Sequence, residues 1–334
     1  MPCTVVVCGF FGDTGKGKII SYLALKDKAS VAVRAGVGPN AGHTVVYEGK
    51  TFRVRMVPSA FVYEKCRLLI GPGVIVDPNV FLNEVKTLNV EDRVGLDPQC
   101  AIIEPRHMEI DRSGHLASEI GTTGSGTGPC NADRVLRRAK LARDVPELQK
   151  FLTDVPLEVN NAIDSGENVL IEGTQGTFLS LWHGTYPYVT SKDVTASAAC
   201  SDVGVGPKKV DEVVVVFKAY VTRVGAGPLP GEIPWEEAER RGWAEIASVT
   251  GRRRRAAPFN FDLAKRAVML NSATQAALTK IDVLFPECRG ARSFSDLSAE
   301  AKEFIRRIED EIKVPVTLIG TGPETLDIVD RRFE

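Results

Sequence analysis

Near its start the chain has a short segment that combines three glycines, two lysines and one carboxylate. This segment, Gly12–Lys18 (GDTGKGK), lies behind the apolar run Thr4–Cys8, which is typical of a buried strand. Glycines let backbone N–H groups approach an anion, and a following helix adds its positive end. The carboxylate of Asp13 would repel phosphates unless it binds a metal or removes a proton. The segment therefore predicts nucleotide chemistry, not only nucleotide binding.

The segment departs from the Walker A motif, which requires Gly, four residues, Gly-Lys and then serine or threonine. Five residues separate Gly9 from Gly15, and Gly17 stands where the hydroxyl residue belongs. The usual magnesium ligand is therefore missing, and Asp13 is the natural substitute. The alternative interpretation is a tight glycine turn with solvent-exposed lysines.

Two further glycine-rich segments are candidates for anion binding. His43 lies in Gly36–Thr44, where a histidine beside a phosphate loop could act as a general acid or charge stabiliser. The hydroxyls and N–H groups of Gly121–Pro129 suit a phosphate monoester. The predicted helix behind that segment carries Arg134, Arg137 and Arg138, of which at least one could contact a phosphate. A solvated basic face is the alternative for these arginines.

Polar residues also follow the later predicted strands. Gln175 and Thr190 are suited to hydrogen-bond a ligand, although each could equally be a turn residue. The arginine run Arg252–Arg255 suits a dicarboxylate substrate because a guanidinium binds carboxylates through two N–H groups. Such runs also bind nucleic acid. The sequence Thr279-Lys280-Ile281-Asp282 is similar to the guanine-reading motif of GTP-binding proteins, in which the aspartate accepts from guanine N1–H and the 2-amino group.

These segments must be positioned by a set of strands and helices in alternation. Buried strands are predicted at Thr4–Cys8, Val31–Arg34, Arg67–Ile70, Asn168–Glu172, Glu212–Ala219, Ala276–Lys280 and Val314–Ile319. Helices are predicted at Lys18–Leu25, Val80–Leu88, Asp133–Lys140, Val145–Ser165, Phe261–Asn271 and Ala299–Ile312. The alternation predicts an α/β protein with a largely parallel central sheet flanked by helices, in one domain spanning residues 1–334. Ligands in such folds bind beyond the carboxyl ends of the strands.

Composition narrows the class of protein. Hydrophobic residues make up 43% and charged residues 25% of the chain, and the net charge is −1, so no global basic field favours nucleic acid. The sequence shows neither a signal peptide nor an 18-residue apolar stretch, so we expect a cytoplasmic protein without a membrane span. Seven scattered cysteines without a CxxC pair argue against a zinc site and predict buried thiols.

Taken together, the motifs resemble those of the adenylosuccinate synthetase family, and most closely its compact archaeal form. GDxGKGK, NAGHT, GTTGxGxGP, EGxQG, HGTYPYVTS, TRVGAGP, TGRRRR, TKxD and TGP occur in the family's order over nearly the whole chain. The resemblance implies a P-loop-NTPase-like fold. It also implies GTP-dependent ligation of IMP and L-aspartate to adenylosuccinate, the first committed step from IMP to AMP. GDP and phosphate would be released.

The resemblance implies roles for individual residues. Asp13 would be the base that takes the N1 proton of IMP, His43 an acid and charge stabiliser, and Lys16 a further catalytic residue. One Mg²⁺ per subunit would be held by Asp13 and the Gly42 carbonyl. The GTP-binding residues would be Gly12, Asp13, Thr14, Gly15, Lys16, Gly17, Lys18, Gly42, His43, Thr44, Arg254, Lys280, Ile281, Asp282, Gly320, Thr321 and Gly322.

The other two substrates would have their own residues. The IMP-binding residues would be Asp13, Asn40, Ala41, Gly42, His43, Thr123, Gln175, Thr190 and Arg252, together with Arg137 from the neighbouring subunit of a homodimer. The aspartate-binding residues would be Ser248, Val249, Thr250, Gly251, Arg252, Arg253 and Arg254. Deprotonation at N1 would drive O6 of IMP onto the γ-phosphorus of GTP. The aspartate amine would then displace phosphate from 6-phosphoryl-IMP.

Some positions depart from the family pattern. Thr14 replaces an expected glutamate, Phe10-Phe11 a more polar pair, and Ser125 an arginine. One alternative function is that of the phage enzyme that forms 2-aminoadenylosuccinate from dGMP, but that family replaces the loop aspartate, which is present here as Asp13. A non-catalytic GTP-binding module is a second alternative, and RNA binding through Arg252–Arg255 a third.

Overall fold

The computed structural model describes residues 3–247 and 251–333, so the expected aspartate-binding residues Ser248, Val249 and Thr250 lie outside the described residues. The strands are β1 Cys3–Cys8, β2 Val31–Arg34, β3 His43–Tyr47, β4 Lys50–Val54, β5 Arg67–Ile70, β6 Ile75–Val76, β7 Val94–Leu96, β8 Ala101–Ile102, β9 Val169–Glu172, β10 Glu212–Lys218, β11 Tyr220–Arg223, β12 Glu245–Ile246, β13 Arg253–Pro258, β14 Gln275–Thr279, β15 Val316–Gly320 and β16 Ile328–Asp330. The α-helices are α1 Lys16–Lys26, α2 Pro78–Leu88, α3 Pro105–Asp111, α4 Thr127–Val135, α5 Val155–Asp164, α6 Ala196–Val203, α7 Trp235–Arg240, α8 Phe261–Asn271, α9 Ile281–Leu284 and α10 Ala299–Ile312.

Nine of the described strands form one sheet, in the order β16-β15-β14-β10-β1-β9-β2-β5-β7. Neighbouring strands are parallel except for the antiparallel edge pair β15 and β16. The carboxyl ends of the parallel strands therefore meet at one edge, which is where ligands bind in such sheets. The predicted fold class is confirmed, and β1, its glycine-rich loop and α1 follow in the order used by P-loop NTPases.

The sheet is covered on both faces, which explains why its strands read as continuous apolar runs. Along β1, Val5 and Val7 pack into one hydrophobic cluster, whereas Val6 packs into the cluster on the opposite face. All seven cysteines are buried and unpaired, as the sequence predicted. Strands from both ends of the described chain share this sheet, which supports our proposal that residues 1–334 form one domain.

Two helix predictions were wrong in extent. The helix expected at Asp133–Lys140 is α4, which ends at Val135, and Arg137 adopts a left-handed conformation with φ of 61°. The prediction assumed that the apolar residues of this segment face the core. Val135 and Leu136 are instead exposed. The helix expected at Val145–Ser165 is divided into a 3₁₀ turn over 146–151 and α5. Proline lacks an N–H and fits only a first helical turn, so Pro156 lies in the first turn of a new helix.

Several short elements were not predicted. The hairpin of β3 and β4 carries His43 at its first residue. A separate small sheet joins β11, β13 and β12, and it contains most of the arginine run. Each of these strands includes charged or polar residues, and none has the continuous apolar run from which the central strands were predicted.

Gly176 lies where the loop after β9 packs directly on the loop after β1. A Cβ added there would lie 2.3 Å from the backbone N of Gly12 and 2.4 Å from the carbonyl O of Phe10. The φ of Gly176 is −155°, which any residue adopts, so the obstacle is steric. We predict that Gly176→Ala lowers the free energy of unfolding by about 1–3 kcal/mol, measured by denaturant titration.

Gly206→Ala is the matched control. Its added Cβ would meet nothing within 4 Å, and its φ is −68°. We expect this variant to be as stable as the parent or slightly more stable. Equal unfolding midpoints for the two variants would contradict the close packing of the two loops.

Candidate active site

The loops that follow β1, β2, β9, β14 and β15 line one cavity of about 1050 Å³. Of the predicted site residues, those that line it are Gly12, Asp13, Thr14, Gly15, Lys16, Gly17, Lys18, Asn40, Ala41, Gly42, His43, Thr44, Thr123, Gln175, Thr190, Arg252, Arg254, Lys280, Asp282 and Gly322. Those placed elsewhere in the described chain are Gly251, Arg253, Ile281, Gly320, Thr321 and Arg137. Segments more than 300 residues apart in sequence therefore meet at one site.

The glycine-rich loop after β1 has the backbone needed to surround an anion. Gly12, Asp13 and Gly15 have φ values of 90°, 56° and 84°. Aspartate tolerates this left-handed conformation better than most residues, so Asp13 can occupy the tip of the turn. A Cβ on Gly17 would lie only 2.9 Å from the Cβ of His43, so glycine there lets the β3–β4 hairpin approach the loop.

Both lysines of this loop are buried, so the alternative of solvent-exposed lysines was wrong. Lys16 Nζ donates to the carbonyl O of Gln175 at 2.6 Å. Burial lowers the pKa of Lys16 below its usual range. Lys18 Nζ instead donates to carbonyls of the loop after β15. The two lysines thus extend from the first turn of α1 toward opposite parts of the cavity.

His43 is held by a buried network of charged and polar groups. Its Nδ1 lies 2.7 Å from Arg34 Nη1 and contacts the carboxylate of Glu172. Burial and the Arg34 charge lower the pKa of His43 to about 3, so the imidazole is neutral near pH 7. Its Nε2 is buried and has no hydrogen-bond partner in the described part of the chain. That atom retains its hydrogen-bonding capacity for a ligand.

Glu172 organises this network from the last residue of β9. Its carboxylate accepts from Arg34 Nη1 at 2.8 Å and from the Ser59 backbone N at 2.7 Å. Arg34 and Glu172 are register partners on adjacent strands, and neither side chain is accessible to solvent. Burial alone would raise the pKa of Glu172, but Arg34 and His43 hold it at about 2. Sequence reasoning missed both Arg34 and Glu172, because a charged residue ending a strand gives no local sign of its partner.

Three of the predicted IMP-binding side chains are joined to one another. Gln175 Nε2 donates to Asn40 Oδ1 at 2.9 Å, and Asn40 Nδ2 donates to Thr190 Oγ1 at 3.4 Å. Thr123 also lines the cavity, and its Oγ1 lies 2.7 Å from the Ser125 hydroxyl. These amide and hydroxyl groups form a polar wall that suits the edge of a purine.

The arginine run divides between two sides because side chains alternate along a strand. Arg252 donates to the carbonyl O of Gly121 at 2.8 Å, and Arg254 donates to Asp13 Oδ1 at 2.8 Å. Arg253 instead stacks over the ring of Trp235 at 4.6 Å, and Arg255 pairs with Glu232. The structure therefore places two of the four arginines at the cavity.

A chain of alternating charges continues from Asp13 into the protein. Arg254 links Asp13 to Glu245, and Lys218 Nζ lies 3.2 Å from Glu245 Oε2. Burial lowers the pKa of Lys218, which is 1% exposed. Both Lys218 and Glu245 line the cavity, and sequence reasoning missed them. The position of Lys218 at the end of a predicted strand was the only available signal.

The opposite end of the cavity holds Lys280 and Asp282. Asp282 is 7% exposed, and its Oδ1 has no hydrogen-bond partner among the residues that the structure describes. Thr279 Oγ1 donates to the carbonyl O of Thr14 at 2.8 Å, which attaches this strand end to the glycine-rich loop. A buried carboxylate oxygen that lacks a donor suits a ligand bearing N–H groups.

The described residues do not include a preformed cluster of side chains that could bind a metal. No group of three or more His, Cys, Asp or Glu side chains in residues 3–247 and 251–333 is arranged to hold a metal ion. Mg²⁺ commonly uses one or two carboxylates together with substrate phosphates, so this finding is compatible with a nucleotide-bound magnesium. Within the same ranges, none of the helices combines the length and apolar character needed to span a membrane.

Comparison with known proteins assigns the family. The adenylosuccinate synthetase family model matches residues 5–154 and 139–288. The chain belongs to the adenylosuccinate synthetase family. The adenylosuccinate synthetase of Archaeoglobus fulgidus is 57% identical, covering 100% of this chain and 99% of that protein. The enzyme of Methanocaldococcus jannaschii is 58% identical, covering 100% and 98%. The expected activity as an IMP–aspartate ligase of this family is confirmed.

Two solved structures have the same fold. A fully ligated adenylosuccinate synthetase from Plasmodium falciparum superposes with a TM-score of 0.90 at 24% identity, covering 98% of this chain and 99% of the other. Succinoaminodeoxyadenylate synthetase of cyanophage S-2L, bound to dGMP and dATP, gives a TM-score of 0.82 at 27% identity, covering 99% and 95%. The archaeal adenylosuccinate synthetases are thus far more similar in sequence than the phage enzyme.

The buried charge of Arg34 leads to a stability prediction for Glu172→Gln. Loss of the carboxylate leaves the guanidinium buried without its counter-ion. We therefore expect the free energy of unfolding to decrease by about 3–5 kcal/mol at pH 7. Because the folded-state pKa of Glu172 is depressed from 4.5 to about 2, its contribution is present above the unfolded pKa and disappears as the pH falls through that interval. Denaturant titrations at several pH values measure the difference.

Glu167→Gln, an exposed position just before β9, is the control. We expect it to alter the unfolding free energy by less than about 0.5 kcal/mol at any pH. A Glu172→Gln deficit that is the same at pH 3 and pH 7 would contradict the linkage to the buried ion pair.

Proposed function

We propose that Asp13, His43 and Lys16 carry out the ligation of IMP and aspartate in this cavity, with GTP bound along the loops after β1, β14 and β15. The observation that carries the proposal is the arrangement of unsatisfied groups. Within residues 3–247 and 251–333, His43 Nε2 and Asp282 Oδ1 are buried without hydrogen-bond partners, and Asp13 lies in the same cavity. A cavity of about 1050 Å³ is also large enough for two nucleotides and an amino acid.

The 6-oxo group of IMP is a poor leaving group and must first be phosphorylated. Asp13 removes the N1 proton, which shifts electron density onto O6, and O6 attacks the γ-phosphorus of GTP. His43 and Lys16 stabilise the charge of the phosphoryl group in transfer. The aspartate amine then attacks C6 and phosphate leaves with the bonding electrons, giving adenylosuccinate, GDP and phosphate.

Two residues from different glycine-rich loops suit a magnesium ion. Asp13 offers a carboxylate and Gly42 a backbone carbonyl, both at the cavity, and oxygen ligands are what this cation prefers. When bound, Mg²⁺ supplies positive charge to the β- and γ-phosphates. Asp13 and Gly42 are the residues that would hold it.

Recognition of the remaining groups follows from charge. Arg252 and Arg254 present guanidinium groups for the carboxylates of aspartate, and Arg254 lies beside Asp13, where the amine must arrive. Asp282 accepts hydrogen bonds from guanine N1–H and the 2-amino group. Asn40, Gln175, Thr190 and Thr123 contact IMP.

An absorbance assay of the purified protein tests the proposed substrates. IMP, GTP, Mg²⁺ and L-aspartate are supplied together, and dGMP then replaces IMP or ATP replaces GTP. We expect turnover with IMP and GTP only. Turnover with dGMP would show that the protein has the activity of the phage enzyme. Absence of turnover in every combination would refute the proposed ligase activity.

The role of Asp13 is tested with Asp13→Ala and the isosteric Asp13→Asn. Because a positioned general base accelerates a reaction about 10²–10⁴-fold, we expect kcat to fall at least that far in both variants. Binding of GDP, measured by calorimetry, should remain within a few-fold of the parent. Asp92→Asn, exposed and outside the cavity, is the control. Parental turnover by either Asp13 variant would exclude the base assignment.

We also propose a homodimer in which Arg137 of one subunit contacts the IMP phosphate in the other. Arg137 lies on an exposed turn outside its own cavity, next to Val135 and Leu136, which are 74% and 59% exposed. Exposed apolar side chains beside a left-handed turn are suited to a subunit interface.

Family membership further supports a cytoplasmic location.

Mixing two inactive variants tests the shared site. Arg137→Leu and Asp13→Asn subunits should form hybrids in which one of the two sites is intact. Random pairing makes half of the dimers hybrid, so activity should recover to about one quarter of the parental value. The unmixed variants are the controls. A mixture no more active than its components, or a monomer by sedimentation, would contradict the proposal.

A further inference from the structure

Lys18 occupies an unusual position for a lysine in a phosphate-binding loop. It lies in the first turn of α1, is 8% exposed, and its Nζ donates to the carbonyl O of Gly322 at 2.5 Å and of Asp327 at 2.8 Å. Both carbonyls belong to the loop 321–327, which joins β15 to β16. The ammonium group is thus hydrogen-bonded to backbone carbonyls more than 300 residues away in sequence.

The loop 321–327 is also hydrogen-bonded to parts of the chain other than α1, and one of its residues lines the cavity. Thr321 Oγ1 donates to the carbonyl O of Ala291, and the Gly290 backbone N donates to the carbonyl O of Thr321, both at 2.9 Å. Thr325 N donates to the carbonyl O of Val46, on the hairpin that carries His43, at 2.7 Å. Gly322 lines the cavity together with Asp282. The loop therefore contributes to the same cavity as the carboxylate that we propose to read guanine.

The electrostatics of Lys18 agree with this placement. Burial lowers its pKa to about 8, and the carboxylates of Asp327 and Asp282 oppose that decrease. An ammonium group close to Asp282 balances the buried negative charge of the guanine-reading residue. Lys16, two residues earlier, faces the carbonyl of Gln175 on the other side of the cavity. The two lysines of the loop therefore have different partners and different tasks.

We propose that Lys18 is a positioning residue for nucleobase selection: it holds the loop 321–327 against α1, so that Asp282 and this loop together discriminate guanine from adenine. This inference rests on the proposed function of the cavity as the GTP site. Without the lysine, two buried carbonyls lose their charged donor, and the loop is released from the phosphate-binding helix. The wall of the base subsite then shifts relative to Asp282, whereas the phosphate-binding N–H groups stay in place.

The test compares Lys18→Met with the parent in two measurements. The first is binding of GDP and of ADP by calorimetry, which needs no turnover. The second is KM and kcat with GTP and with ATP at saturating IMP and aspartate. We expect GDP affinity to fall about tenfold or more and ADP affinity to change little, so that base discrimination decreases. KM for GTP should rise more than kcat falls, and Lys18→Arg should restore part of the GDP affinity.

Lys26→Met, at the exposed end of the same helix, is the matched control and should behave like the parent. Thr321→Val removes a different contact of the same loop and should also weaken GDP more than ADP, so the proposal stays testable if Lys18→Met does not fold. Equal losses of GDP and ADP affinity in Lys18→Met would overturn it in favour of direct phosphate binding. A loss of kcat with unchanged nucleotide affinity would overturn it as well. Failure of the proposed function is distinguishable, because the parent itself would then show no turnover.

Discussion

The ion pair between Arg34 and Glu172 is the interaction on which the rest of the site depends. The two residues end adjacent parallel strands in register, at 0% side-chain exposure, so neither charge can be solvated by water. Each must therefore be satisfied inside the protein, and the pair recruits His43 and Ser59 to do so. The loops that begin after β2 and β9 start from this fixed point, which determines where the hairpin bearing His43 can lie.

The same principle extends into the cavity, where a second set of buried charges is paired. Lys218, Glu245, Arg254 and Asp13 alternate in sign from the interior to the glycine-rich loop. Because desolvation of an isolated ion is costly, such a site is stable only when all its loops are assembled. Among the described residues, His43 Nε2 and Asp282 Oδ1 are two buried atoms left without hydrogen-bond partners at the cavity, and both are available to ligands.

Much of the fold followed from local pattern, and the failures have specific causes. A sheet buried on both faces requires uninterrupted apolar residues, and this pattern predicted most of its strands. The predicted strands are β1, β2, β5, β9, β10, β14 and β15. The helix at Asp133–Lys140 was wrong because Val135 and Leu136 are apolar but exposed. The division of Val145–Ser165 at Pro156, and the polar hairpin of β3 and β4, depend on packing partners that periodicity does not reveal.

By itself, the sequence determined the fold class, the family resemblance and nearly all the loops that line the cavity, because glycine-rich turns and strand ends have local signatures. Only the tertiary structure decided which arginines of the run face the cavity. Arg252 and Arg254 line it, whereas Arg253 stacks over the ring of Trp235. The tertiary structure alone also identified Arg34, Glu172, Glu245 and Lys218 as residues of the site. It further showed that Lys16 and Lys18 have different hydrogen-bond partners. These buried charges are paired with residues of other elements, as Arg34 is with Glu172, which lies 138 residues further along the chain, and no local pattern encodes such a pairing.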